Sequence, residues 1–291
     1  MNTLDKLVYE NSKGQLIEFS SLSPYFLLSI DGLDGLKSNI VSTKGLNQDG
    51  AYFINSSTSI RNIVIKAKLK RINYIDQKRK LLKTMPIKDM GKLWYYKNDT
   101  KKYINCIIEE SPKFASTVES FNYNTFYSTL IALDPYWKDE KEKVQIALWR
   151  GDFHFPLNIP KNTGIKMGHR EPSLIVNVIN KGDIECGMTI EFKAHGTLNN
   201  PSLFNLNTRE FIKINKQMIA GEVIKVNTEF GQKKIINYVN GIETNIMNYL
   251  DIDSTFLQLN VGDNLFRYNS DSNLDNLEIN IYFNPKYSGV C

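Results

Sequence analysis

Three stretches of this chain alternate between apolar and polar side chains with a period of two. Ile63, Ile65, Ala67 and Leu69 interleave with Val64, Lys66, Lys68 and Lys70. Met188, Ile190, Phe192 and Ala194 interleave with Thr189, Glu191, Lys193 and His195. Leu277, Ile279, Ile281 and Phe283 interleave with Glu278, Asn280 and Tyr282. Successive side chains of an extended strand point to opposite faces, so each stretch reads as a strand with one face on a core and one toward water. The fold is therefore expected to be mainly β.

The rest of the chain punctuates strands. In the first half, Lys6–Leu7–Val8–Tyr9–Glu10 and Leu16–Ile17–Glu18–Phe19 flank a Gly-containing turn and read as a hairpin. Strands follow at 25–30 and 40–44, then a polar loop from Gly45 to Tyr52. One helix is expected over 74–84. Ile75, Leu81 and Leu82 are its apolar stripe, Asp76 sits in its first turn, and Pro86 stops it. Strands are expected again at 92–96 and 101–110, separated by a turn at Asn98–Asp99. From Phe121 to Leu133, Phe121, Tyr123, Thr125, Tyr127 and Ile131 share one side of an extended segment. The charge run Asp139–Glu140–Lys141–Glu142–Lys143 reads as the domain junction, with a solvated turn as the alternative. Domains of 1–140 and 141–291 are expected. Turn signals recur through the second at Lys181–Gly182–Asp183, Asn199–Asn200–Pro201, Phe230–Gly231–Gln232, Asn240–Gly241 and Gly262–Asp263–Asn264. Short strands at that spacing argue for a β-sandwich.

Composition narrows the function. The longest apolar runs fall far short of the ~20 residues of a membrane span, and no basic-then-apolar leader opens the chain. Folding in a cytoplasm is expected. The net charge of +5 lies entirely in residues 1–140, which hold 20 Lys+Arg against 15 Asp+Glu. A basic half can face nucleic acid, an acidic protein surface or only water; no RNP pattern, GXXG clamp or zinc finger supports specific nucleic-acid binding. Lys66, Lys68 and Lys70 are either a partner-facing stripe or the wet side of a sheet that avoids edge pairing. The basic flank of the helix either touches an acidic partner or is a solvated face.

No catalytic constellation emerges. Cys106, Cys186 and Cys291 are too few and too far apart for a disulfide framework or a metal knuckle, and read as one buried thiol per domain and one near the C-terminus. His154, His169 and His195 form no ligand pattern, and there is no nucleophile elbow, Walker loop or dinucleotide fingerprint. Glu109 and Glu110, adjacent in a strand, point to opposite faces and make a poor catalytic pair. No enzyme activity, cofactor or metal is expected.

A series of short motifs, in order along nearly the whole chain, resembles the distal tail proteins (Dit) of siphophages that infect Gram-positive bacteria. In the first half these are Ile17–Glu18–Phe19, Tyr25–Phe26–Leu27–Leu28, Ile30–Asp31–Gly32–Leu33, Gly45–Leu46–Asn47–Gln48–Asp49–Gly50, Arg61–Asn62–Ile63–Val64–Ile65, Arg79–Lys80–Leu81–Leu82 and Leu133–Asp134–Pro135–Tyr136–Trp137. In the second they are Asn180–Lys181–Gly182–Asp183, Leu198–Asn199–Asn200–Pro201, Val226–Asn227–Thr228, Phe256–Leu257–Gln258–Leu259, Gly262–Asp263–Asn264 and Tyr287–Ser288–Gly289. The resemblance implies a ring-forming N-terminal domain, typically hexameric, and a C-terminal galectin-like sandwich. It implies a virion tail-tip hub, assembled in the host bacterial cytoplasm. Its partners would be the major tail tube protein, the tail-associated tip protein, and receptor-binding or other baseplate proteins. The segment from Lys44 to Phe53 and the strand 63–70 are the candidate ring or tube contacts, with Gly45, Asn47, Gln48, Asp49, Gly50, Lys66, Lys68 and Lys70 as the residues concerned. The alternative is a lectin-like adsorption module in which the sandwich binds saccharide; the chain lacks room for the inserted carbohydrate-binding module of some relatives, which disfavours it.

Overall fold

The computed structural model describes residues 6–98, 100–114, 124–146 and 175–290, and the backbone of 149–151 and 168–170. Phe121, Tyr123, Asp99, His154, Cys291 and the side chains of Trp149 and His169 lie outside the described residues. Two compact units result. The first joins the chain up to Glu140 to the last residues from Lys286; the second runs Lys141–Pro285.

In the first unit the strands are β1 (Lys6–Glu10), β2 (Leu16–Phe19), β3 (Tyr25–Asp31), β4 (Ser38–Thr43), β5 (Tyr52–Thr58), β6 (Arg61–Leu69), β7 (Met90–Lys97), β8 (Thr100–Phe114), β9 (Thr125–Ala132) and β10 (Trp137–Lys138). Strands run in the order β8-β7-β1-β2-β3-β6-β9, and β9 pairs with β8, so the sheet closes on itself. Closure removes the edges that an open sheet would expose. The period-two alternation is what allows it: Leu7, Tyr9, Phe19, Ile63, Ile65, Leu69, Leu93, Ile104, Phe126 and Leu130 all turn inward and are buried together. On β9 the inward residues are Phe126, Ser128, Leu130 and Ala132, and Thr125, Tyr127 and Ile131 share the outer side.

The helix α1 (Tyr74–Thr84) spans the expected residues, with Asp76 in its first turn and Met85 and Pro86 following it. Its buried face differs from the expectation. Leu81 is buried, but Ile75 is 73% and Leu82 40% exposed. At 100° per residue the inward line is Tyr74, Gln77, Leu81 and Thr84; Ile75 and Leu82 stand beside it. A second correction concerns β6, which is paired on one side to β3 and on the other to β9. Its lysines therefore do not guard a sheet edge. A third is β5, where the sequence offered only the end of a loop.

In the second unit one antiparallel sheet orders Glu142–Ile146, Leu277–Phe283, Met188–Ala194, Val223–Asn227, Lys234–Val239 and Ile242–Asn245. The other orders Ile175–Asn180, Gly262–Asn269, Ser202–Asn205 and Phe211–Lys213. Ile190, Phe192, Ile224, Ile279 and Ile281 from the first share one core with Val178, Leu203, Ile212, Phe266 and Tyr268 from the second. This is a β-sandwich. Asn240 and Gly241 both have positive φ, the geometry a two-residue hairpin turn between right-twisted strands requires. The final strand, Lys286–Tyr287, does not belong here: it pairs with β10 of the first unit. The sequence assigned 286–291 to the second half, because a two-residue strand carries no periodicity that betrays its partner.

Candidate assembly surfaces

β4 and β5 form an arm. They pair from Ser38↔Thr58 to Thr43↔Tyr52, with a bulge beside Val41, and every residue of both strands is exposed. At its base Ser59 N donates to Lys37 O at 2.8 Å. At its tip Gly45 N donates to Gln48 Oε1 at 3.0 Å, and Asn47 and Gly50 turn the chain at φ 59° and 81°. Ile40, Val41, Leu46, Tyr52, Phe53 and Ile54 all face water, Leu46 at 98%. A two-stranded hairpin with no core of its own is marginal in water, and so many exposed apolar side chains on one short hairpin point to a contact site.

Of the expected contact residues, Gly45, Asn47, Gln48, Asp49 and Gly50 thus come together at the arm tip. Lys66, Lys68 and Lys70 stand elsewhere, on the outer wall of the barrel. Lys66 is in register with Tyr127, and Tyr127 with Lys113, whose Nζ lies 5.8 Å from the Tyr127 ring centre. Lys70 Nζ donates to Ser21 O at 2.9 Å. Because the backbone of β6 is paired on both sides, it can offer side chains but no free edge.

The node that holds the first unit together was not expected. Arg61 is in phase with Ile63 and Ile65 and is 4% exposed. Its Nε donates to Pro135 O at 2.7 Å, Nη1 to Gly32 O at 2.7 Å and Leu33 O at 2.8 Å, and Nη2 to Ser288 O at 2.5 Å. Burial lowers the guanidinium pKa, and the nearby Asp34 charge opposes that shift. Asp34 Oδ1 in turn accepts from Val290 N at 3.0 Å. Alongside, Trp137 Nε1 donates to Leu33 O at 3.0 Å, and Asp134 pairs with Lys138 at 2.8 Å and Lys286 at 3.4 Å. Burial would raise the Asp134 carboxyl, yet the two ammonium groups hold it below the ordinary range. Gly32 has φ 84°, and a Cβ there would sit 2.0 Å from Asn62 O, so no other residue fits. The signal was in the sequence: an arginine in phase with a buried face must find partners.

Comparison with known proteins decides the family. The model of the phage tail protein RIFT-related domain matches residues 12–131, and that of the siphovirus-type tail component, C-terminal domain, matches residues 181–287. The chain belongs to the siphophage distal tail proteins. It is a structural component of the phage tail. No curated protein matches it by sequence. Among solved structures, the Dit protein of phage SPP1 is similar over 97% of this chain and 98% of that one, with a TM-score of 0.68 and 11% identity. Chains of the phage p2 baseplate in its activated conformation, with Sr and with Ca, are similar over 99% of this chain, with TM-scores of 0.53 and 0.54 and identities of 11% and 13%. At such identities the likeness is one of fold.

Several titratable groups of this distal tail protein are held in contacts within the fold. Cys106 and Cys186 are buried and in no disulfide, and burial pushes Cys106 up to about 12. On the outer face of the larger sandwich sheet, Glu278 lies 2.6 Å from His195 Nε2, accepts from Gln145 Nε2 at 3.2 Å and stands 3.7 Å from Lys193. Burial opposes ionisation of Glu278, but His195, Asn280 and Lys193 hold its pKa below the usual value. Glu191 accepts from Asn280 Nδ2 at 3.1 Å and pairs with Lys225 at 3.2 Å. Glu109 and Glu110 are both exposed, and the ladder slips between Ile108 and Glu110. Among the described residues no group of three or more His, Cys, Asp or Glu could hold a metal ion, and no helix is long and apolar enough to cross a membrane.

Proposed function

We propose that this distal tail protein is the hub of the tail tip and acts as a ring, most simply a hexamer, built from its first unit. The ring joins the major tail tube protein to the tail-associated tip protein. The sandwich unit, read as galectin-like, carries receptor-binding or other baseplate proteins. Assembly takes place in the cytoplasm of the host bacterium. The subunit works by presenting surfaces, with no catalytic step, no nucleic-acid or membrane partner and no bound cofactor. The relative named for phage SPP1 is described as a hub of the adsorption apparatus in phages infecting Gram-positive bacteria, which supports the reading.

The observation that carries it is the arm. A hairpin exposed on both faces gains a core only against another molecule, and a head-to-tail contact of this kind generates a ring when its rotation closes. Lys66, Lys68 and Lys70, with the arm tip, are the contacts proposed for ring closure or the tube. Native mass measurement and negative-stain images test the reading. The intact chain should form annular particles, alone or on a tail tube partner. Deletion of Gly45–Tyr52 should leave folded monomers. Intact rings from the deletion variant would remove the arm from the interface; a chain that never associates, with or without tail partners, would remove the ring.

A further inference from the structure

The first unit holds a second surface whose chemistry answers that of the arm tip. Between α1 and the β1–β2 hairpin lies a groove of about 450 Å³ lined by Gln15, Leu16, Asp76, Arg79, Lys80 and Lys83. Hydrogen bonds tie the helix to the β1–β2 hairpin and to β3. Asn11 Nδ2 donates to Thr84 O at 3.3 Å at one end of the helix, and Tyr25 Oη donates to Gln77 O at 3.0 Å toward the other. The lining of the groove includes Leu16, 55% exposed although it belongs to a strand of the barrel. Its rim carries three cations against one carboxylate. Among the described residues Arg79, Lys80 and Lys83 make no side-chain hydrogen bond or ion pair.

A groove that sets an exposed leucine beside three cations and a single carboxylate fits a segment that pairs an exposed apolar side chain with a carboxylate. The arm tip is such a segment. From Gly45 to Tyr52 its single charged residue is Asp49, three positions after Leu46. We propose that the tip of one subunit's arm seats in this groove on the next subunit, with Leu46 against Leu16 and Asp49 among Arg79, Lys80 and Lys83. Tip and groove are different surfaces, so the contact is heterologous, as a ring requires. The lone acid sets register and partner choice more than it sets affinity. This inference rests on the self-association read for the arm and names the surface that receives it.

A photoreactive benzophenone amino acid at Leu46 of the full chain tests it. Irradiation should give covalent dimers and higher multimers whose cross-linked peptide contains Leu16 or lies within α1. Lys80→Glu with Lys83→Glu should lower the yield by about tenfold, because facing like charges penalise a pairing strongly; adding Asp49→Lys should restore it. Circular dichroism of each variant checks that the fold is retained, and the restored triple variant separates lost contact from lost structure. Cross-links to another surface, or a yield indifferent to the charge reversals, would overturn the groove while leaving the arm as an interface. No intermolecular product at all, under conditions where rings form, would overturn both.

Discussion

At the scale of single residues, Arg61 does most to define the first unit. Its guanidinium satisfies carbonyls of Gly32, Leu33, Pro135 and Ser288, from three stretches otherwise distant in the chain. Replacing it with alanine strands those carbonyls in a buried site, where each unmade hydrogen bond costs roughly 1–3 kcal/mol. Arg61→Ala should therefore destabilise the first unit by at least about 3 kcal/mol, read as a fall in its urea midpoint. Arg61→Lys should fall between, since an ammonium has three donors and no planar fork. Equal stability of Arg61→Ala and the parent would refute the node. The sequence could have revealed that Arg61 points inward, from its phase with Ile63 and Ile65. It could not reveal the acceptors, which lie 28 to 227 positions away. The same scale sets the pH response. The folded-state carboxyls of Asp134 and Glu278 are depressed, so the stability they contribute is present above the unfolded carboxylate range near about 4 and is lost as pH falls below it. Thermal scans should show a plateau near neutrality and a decline below about pH 4, smaller in Asp134→Asn for the first unit and in Glu278→Gln for the second. An unchanged acid slope in both variants would contradict this.

At the scale of elements, legibility followed burial. The strands 63–69, 188–194 and 277–283 were read because one face is buried and the other wet, the condition that writes a period of two into sequence. The helix was read from its charges, its apolar residues and the proline that stops it, but its buried line was misjudged, because seven-residue spacing also joins Ile75 to Leu82 along the outer face. Leu81→Ala should cost about 2–5 kcal/mol, whereas Ile75→Ser and Leu82→Ser should stay within roughly 0.5 kcal/mol. Guanidinium titrations of the three would expose an error if Ile75 proved as costly as Leu81. β5 was missed for the converse reason. Tyr52, Phe53 and Ile54 are consecutive and apolar, and a strand exposed on both faces has no alternation to show. An element shaped by a contact outside its own subunit obeys the partner's pattern, so the illegibility of β5 is consistent with the arm's proposed role.

At the scale of the whole molecule, the sequence suggested two halves in series, whereas the chain returns. Lys286–Tyr287 pairs with Lys138 and Trp137 at the edge of the first unit, Ser288 accepts from Arg61, and Val290 donates to Asp34. The first unit is therefore completed only when the last residues arrive, after the sandwich between them has been made. A chain ending at Pro285 should lose these bonds together: Arg61 loses an acceptor, Asp34 a donor, and Asp134 the Lys286 ammonium. None of the groups in the shared core of the sandwich is touched. Truncation after Pro285 should thus lower the melting of the first unit selectively. Calorimetry should resolve a sandwich transition at its original temperature and an earlier one for the barrel, and proteolysis should cut within residues 1–140 first. A peptide spanning 286–291, added in excess, should recover part of the lost stability by mass action. A truncated chain that melts like the intact one would mean the returning strand is a passenger. A truncated chain in which both units melt together and early would mean that the two fold as one cooperative body rather than as a barrel that waits for its final strand.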